Sequence, residues 1–167
     1  MSALFMWREG SPACKKKKGG IRPLVVGEFL RAVISKVTAH HAAGAAAALQ
    51  PLQIGVGGGG PLVQAAVLTA RCWAEDIEGD EILLKLDLNN AHGSAERAGI
   101  LQAVHKRAPE IFQWSQWSLS QASYLFLGEQ QLQCSGGVQQ GDPSAPLLFS
   151  INLQDVIESL PAALRES

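Results

Sequence analysis

The chain has 167 residues, 47% hydrophobic and 17% charged, which fits one compact domain or part of a larger protein and excludes a disordered tail. Its 17 glycines and 8 prolines exclude a collagen-like or low-complexity chain, and a net charge of -1 argues against a wholly basic nucleic-acid coat. The three cysteines, Cys14, Cys72 and Cys134, form no C-x-x-C pair and no disulfide framework, so a reducing compartment is expected.

Charge is unevenly distributed. Residues 1–50 carry eight Lys or Arg against Glu9 and Glu28, a balance of +6, and the remainder carries -7. A basic first third joined to an acidic remainder points to one face that meets a polyanion. A solvated surface or a disordered arm would also show a run such as Lys15, Lys16, Lys17 and Lys18. The first eight residues are too short and polar for a secretory signal, and the apolar run at 54–70 is broken by glycines, Pro61 and Gln64. The expectation is an intracellular protein of the nucleus or cytoplasm, with no membrane partner.

In chain order, residues 21–26 (IRPLVV) form a strand candidate that Pro23 restricts to an edge. From residue 28 to 49 the period becomes helical, with Leu30, Val33, Ile34 and Val37 at i, i+3, i+4 and i+7. A break containing GVGGGG at 55–60 leads into a second helix at 62–74. Residues 81–88 (EILLKLDL) read as a two-faced strand, with Ile82, Leu84, Leu86 and Leu88 packing on helices and Asp87 on the opposite face. A helix at 95–108 turns Ile100, Leu101 and Val104 inward, and Pro109 starts another. Residues 124–127 and 130–134 flank Gly128-Glu129 as a hairpin. Asp142-Pro143 supplies an N-cap and a first-turn proline for a last helix, with Phe149, Leu153, Val156, Ile157 and Leu160 on one face. The interleaving without constant β-α repeats favours an α+β fold: an antiparallel sheet with helices packed on one face.

Three places could carry chemistry. The glycine run lacks the lysine and hydroxyl of a phosphate-cradling P-loop, and the proline-containing stretch before it makes a poor strand for a dinucleotide fingerprint. His40 and His41 point about 100° apart on a helix and have no ligand at i+4, so they read as polar surface. Asp87 ends an apolar strand, where a carboxylate is costly to bury unless it is paired or metal-bound; a strand-end turn or cap is the other reading. Two glutamines and Gly141 directly before a capped helix bring amides and a helix N-terminus together, suited to a sugar or phosphate, or else form an ordinary loop.

Taken in order, these segments resemble the fingers and palm of a reverse transcriptase of the non-LTR retrotransposon type. GIRPL at 20–24 is similar to the fingers motif G-x-R-P-I, and QIGVGGGG at 53–60 to the glycine-rich turn that follows it. LKLDLNNAHGS at 84–94 resembles polymerase motif A, and GVQQGDPSAPLLF at 137–149 resembles motif B. The resemblance implies a partial right-hand polymerase fold, with residues 1–80 fingers-like and residues 81–167 a partial palm. It implies Mg²⁺-dependent, RNA-templated DNA synthesis, with RNA template, DNA primer and dNTP as partners.

Residue by residue, the resemblance makes Asp87, helped by the Leu88 carbonyl, a ligand of two catalytic Mg²⁺ ions about 4 Å apart, which demand hard oxygens. Arg22 would hold the triphosphate through its planar guanidinium, and Lys15, Lys16, Lys17 and Lys18 would grip nucleic acid. Gln140 and Gly141 would pack on the incoming nucleotide and the templating base. His92 stands where the family carries a bulky aromatic beside the ribose 2′-position, so selection of dNTP over rNTP is expected to be altered. Asp142 would be structural, as an N-cap. The Tyr-x-Asp-Asp hairpin of the family does not occur in the sequence. The 167 residues are therefore expected to be inactive alone, and residues 81–88 to have an open, aggregation-prone edge that leaves the chain poorly stable. The alternatives are a non-catalytic nucleic-acid-binding remnant and a non-functional fragment of a decayed element.

Overall fold

The computed structural model of the chain describes residues 2–5, 25, 26, 28–56, 59–77, 79, 85–127 and 130–161. It is a mixed helical and sheet structure of the α+β kind. Strand β1 (Ser2–Phe5) lies between β2 (Val25–Val26) and β3 (Ser123–Leu127), and β3 is flanked on its other side by β4 (Gln130–Cys134). The β1–β2 and β3–β4 pairs are antiparallel, the latter with Leu125 opposite Leu132. The β1–β3 pair is parallel, with Ala3 opposite Leu125. The sheet is thus mixed, a correction to the all-antiparallel expectation. A strand from the start of the chain inserts beside the hairpin, at a segment the sequence did not mark.

The helices are α1 (Phe29–His41), α2 (Ala43–Ala47), α3 (Gly59–Glu75), α4 (Ala91–Ser94), α5 (Arg97–Arg107), α6 (Phe112–Leu119) and α7 (Ala145–Ser159), with a 3₁₀ turn at Pro109–Ile111. Helix α5 buries Ile100, Ala103 and Val104 and closes on Lys106 and Arg107, whose charges suit the negative end of a helix. It stops before Pro109, since the residue preceding a proline avoids the helical region. Helix α7 buries Leu147, Leu148 and Ile151 against it. Ala42, Ala46 and Leu49 from the first 50 residues join the same core. Among the described residues the principal packing is helix on helix and strand on strand, rather than helices laid over one sheet face.

Three elements depart from the sequence reading. The apolar stripe that marks α1 is not the face that packs: Leu30 is 70% exposed and Val37 56%, while Arg31, Ser35 and Thr38 are buried. Residues 85–88 carry no strand, and Leu86 (77% exposed) and Leu88 do not pack on helices; residues 81–84 lie outside the described residues. Helix α7 begins three residues after Asp142, with Ser144 at the cap position. Asp142 forms a side-chain turn instead: its Oδ1 accepts from the Ser144 amide at 2.9 Å and from the Ser144 hydroxyl at 2.7 Å.

Candidate functional site

One wall of the site is the segment from Asp87 to His92, which runs into α4. It turns at Asn90, whose φ of 50° lies in the left-handed region that asparagine tolerates better than most residues. Its side chain folds over Gly93, where a Cβ would come within 2.7 Å of the Asn90 amide nitrogen. His92 is half-buried, and its ring stacks on Phe149 of α7 at a centroid distance of 4.7 Å. That stacking fixes the imidazole at the edge of the site.

The second wall is residues 137–142. It approaches the first so closely that both ends of the contact are backbone. The amide of Val138 donates to the His92 carbonyl at 2.9 Å, and the amide of Gly137 donates to the Ala95 carbonyl at 3.0 Å. Gly137 has φ +57°, and a Cβ there would lie 2.2 Å from the His92 carbonyl oxygen, so only glycine fits. Gly141 (φ 110°) turns the chain toward Asp142. Asp142 is anchored from outside the site: its Oδ2 accepts from Arg31 Nε at 3.1 Å, with the two side chains 9% and 7% exposed. Behind this turn Gln139 is buried, and its Nε2 has no hydrogen-bond partner among the described residues.

Between the walls lies an open cleft of about 550 Å³. Asp87, Leu88 and His92 line it on one side and Gln140, Gly141 and Asp142 on the other, with Ala145 and Pro146 of α7 contributing to its floor. Asp87 is exposed, so its carboxylate is open to solvent. The sequence-assigned Asp87, Leu88, His92, Gln140 and Gly141 thus meet at one place. Arg22, Lys15, Lys16, Lys17 and Lys18 lie outside the described residues. Among the described residues no three His, Cys, Asp or Glu side chains group as metal ligands.

No protein-family model matches the chain, and no curated protein matches it significantly. Among the described residues no helix is long and apolar enough to cross a membrane.

Sequence reasoning missed two arginines that hold the site together. Arg31 sits on the polar, buried face of α1, and the only signal would have been a charge set opposite the apolar stripe. Arg97, at the start of α5, reaches four backbone carbonyls, including that of Gly137 at 3.0 Å. Burial pushes its pKa below the ordinary value. Nothing local in the sequence announces that role. Gln53, quoted within the glycine-rich block, proves to be a tether: its Nε2 donates to the Ser150 carbonyl at 2.7 Å and to Gln154 Oε1 at 2.8 Å.

Proposed function

We propose that the cleft is the nucleotide site of a reverse transcriptase-like domain, part of a polymerase right hand, and that the 167 residues alone bind but do not catalyse. The observation that carries this reading is the convergence of Asp87 with Gln140 and Gly141, about fifty positions apart in sequence, on facing walls of one cleft. The residues assigned by resemblance alone needed no such meeting.

The donor set suits one hydrated Mg²⁺. An exposed carboxylate with a neighbouring backbone carbonyl offers hard oxygens, and Mg²⁺ ordinarily completes its shell with waters and substrate phosphates. Asp87 and Leu88 would hold it, and it would screen the charge of a triphosphate. A two-ion arrangement needs further carboxylates, and the sequence contains no Asp-Asp pair. Asp142 cannot serve as the second, since both its oxygens are engaged by Ser144 and Arg31. Gln140 offers amide donors and an acceptor to a base or sugar, while Gly141 lets backbone approach closely. Arg22 and the lysines at 15–18 would supply cations for phosphate and template.

The test is Mg²⁺-dependent binding of dNTP followed by NMR. Shifts centred on residues 87–92 and 137–142, with the Mg²⁺ dependence lost in Asp87→Asn, are expected. Binding elsewhere, or no difference between the two chains, would overturn the reading. Primer extension on an RNA template should give no product, and an extension activity that Asp87→Asn abolishes would refute the claim of inactivity.

A second reading is a non-catalytic nucleic-acid-binding module, favoured by the +6 balance of residues 1–50. It requires salt-dependent binding of RNA that is lost on neutralising the four lysines and is unchanged in Asp87→Asn.

A further inference from the structure

The two walls of the cleft meet at the peptide groups of residue 137, and a single side chain completes that junction. The Gly137 amide is spent on the Ala95 carbonyl at 3.0 Å, and its carbonyl accepts from Arg97 Nε at 3.0 Å. Arg97 begins α5, two residues after Ala95, so the helix that continues the first wall also holds the second. Its remaining nitrogens reach the segments that frame the hairpin. Nη1 donates to Gln121 O at 2.7 Å and Leu119 O at 3.3 Å, and Nη2 donates to Cys134 O at 3.2 Å. These carbonyls lie at the end of α6, just before β3 and at the end of β4. The guanidinium is the only side chain that offers several N–H donors in a rigid planar fork, and four carbonyls from two stretches, 119–121 and 134–137, use that geometry.

We infer that Arg97 is a positioning residue that sets the register between the Asp87–His92 wall and the Gln140–Gly141 wall, and with it the width of the cleft. The register itself follows from the bonds above; its consequence for a nucleotide rests on the function proposed for the cleft. Lysine retains the charge but has one nitrogen, which cannot reach all four carbonyls together.

Hydrogen exchange on the full chain, wild type against Arg97→Lys, tests the register. The Gly137 and Val138 amides, bonded to Ala95 and His92, should lose protection about tenfold or more, while the Ala108 and Leu148 amides within the helical core keep theirs. Arg97→Gln, which retains a planar amide without charge, carries the same expectation where Arg97→Lys does not fold. Unchanged protection at 137 and 138, an equal loss at all four amides, or failure of both variants to fold would overturn the inference. Mg²⁺-dependent dNTP binding provides the second arm. A loss of affinity in folded Arg97→Lys that accompanies the local exchange supports the consequence for the ligand, and unaltered affinity beside altered exchange refutes that consequence. Altered exchange in a chain whose wild type binds no dNTP overturns the proposed function and leaves the register standing.

Discussion

A methyl group at position 137 would sit 2.2 Å from the carbonyl oxygen of His92, on a residue whose φ is +57°. Both the backbone conformation and the space demand glycine, and the neighbour is backbone that cannot swing away. Gly137→Ala should cost about 3 kcal/mol or more in urea-induced unfolding, summing left-handed strain with overpacking. The buried Arg31–Asp142 pair obeys a different rule. Removing Arg31 takes the cation away from the Asp142 carboxylate at a site less than a tenth exposed, so Arg31→Met should lose about 3–5 kcal/mol, and Asp142→Leu should also destabilise. The double variant should lose less than the sum of the two, because the contact between them is lost only once. Additive losses would show that the pair is not coupled. Sequence inspection identified Asp142 as a helix cap; its actual partners lie on the same turn and 111 positions away.

Amphipathic spacing established that α1 is a helix but not which face it buries. Periodicity records which residues are apolar, whereas burial depends on which face meets another element. Here Arg31, Ser35, Thr38 and Ala42 face the interior, and the Leu30–Val33–Ile34–Val37 stripe is exposed. Leu30→Gln should therefore change stability by no more than about 0.5 kcal/mol. Ser35→Leu, at a fully buried position, should cost about 1–3 kcal/mol by overpacking. The reverse ranking in chemical denaturation would return the stripe to the interior. Helices α5 and α7 are also joined by charge: Arg107 bonds Asp155 and Glu158, and Lys106 reaches Asp155 at 3.2 Å. The Arg107 hydrogen bonds hold both carboxyls below their ordinary pKa values. For a depressed carboxylate the stabilisation is complete above the ordinary range and is lost as pH falls through the lowered value. The wild type should thus lose more stability on acidification below about pH 4 than Arg107→Gln does. The groups are about 40% exposed, so solvent screening keeps the difference below about 1 kcal/mol.

At the scale of the whole molecule, the core crosses the middle of the chain. Ala42, Ala46 and Leu49 pack with Ile100, Val104, Leu148 and Ile151 in one cluster. Gln53 adds a polar tether from the same early segment to α7. Residues 81–167 expressed alone should therefore lack cooperative unfolding and near-ultraviolet dichroism, while the full chain shows both. A well-dispersed NMR spectrum from residues 81–167 alone would contradict this. The cleft depends on the same arrangement, because Arg31 from the first third holds Asp142 at the end of the second wall.

The order of apolar and breaker residues was enough to locate α5, α6, the β3–β4 hairpin and α7, because local propensity, proline and helical period act over a few neighbouring positions. The same local chemistry drew attention to Asp87, Gln140 and Gly141, while His92 entered through the resemblance alone. What it could not supply was any relation between distant segments. The parallel seating of β1 beside β3, the absence of strand at 85–88, the buried face of α1 and the arginines that clasp the cleft walls all arise from contacts between residues far apart in sequence. Such contacts are selected by the shape and burial of the finished assembly, a property no short window of sequence contains.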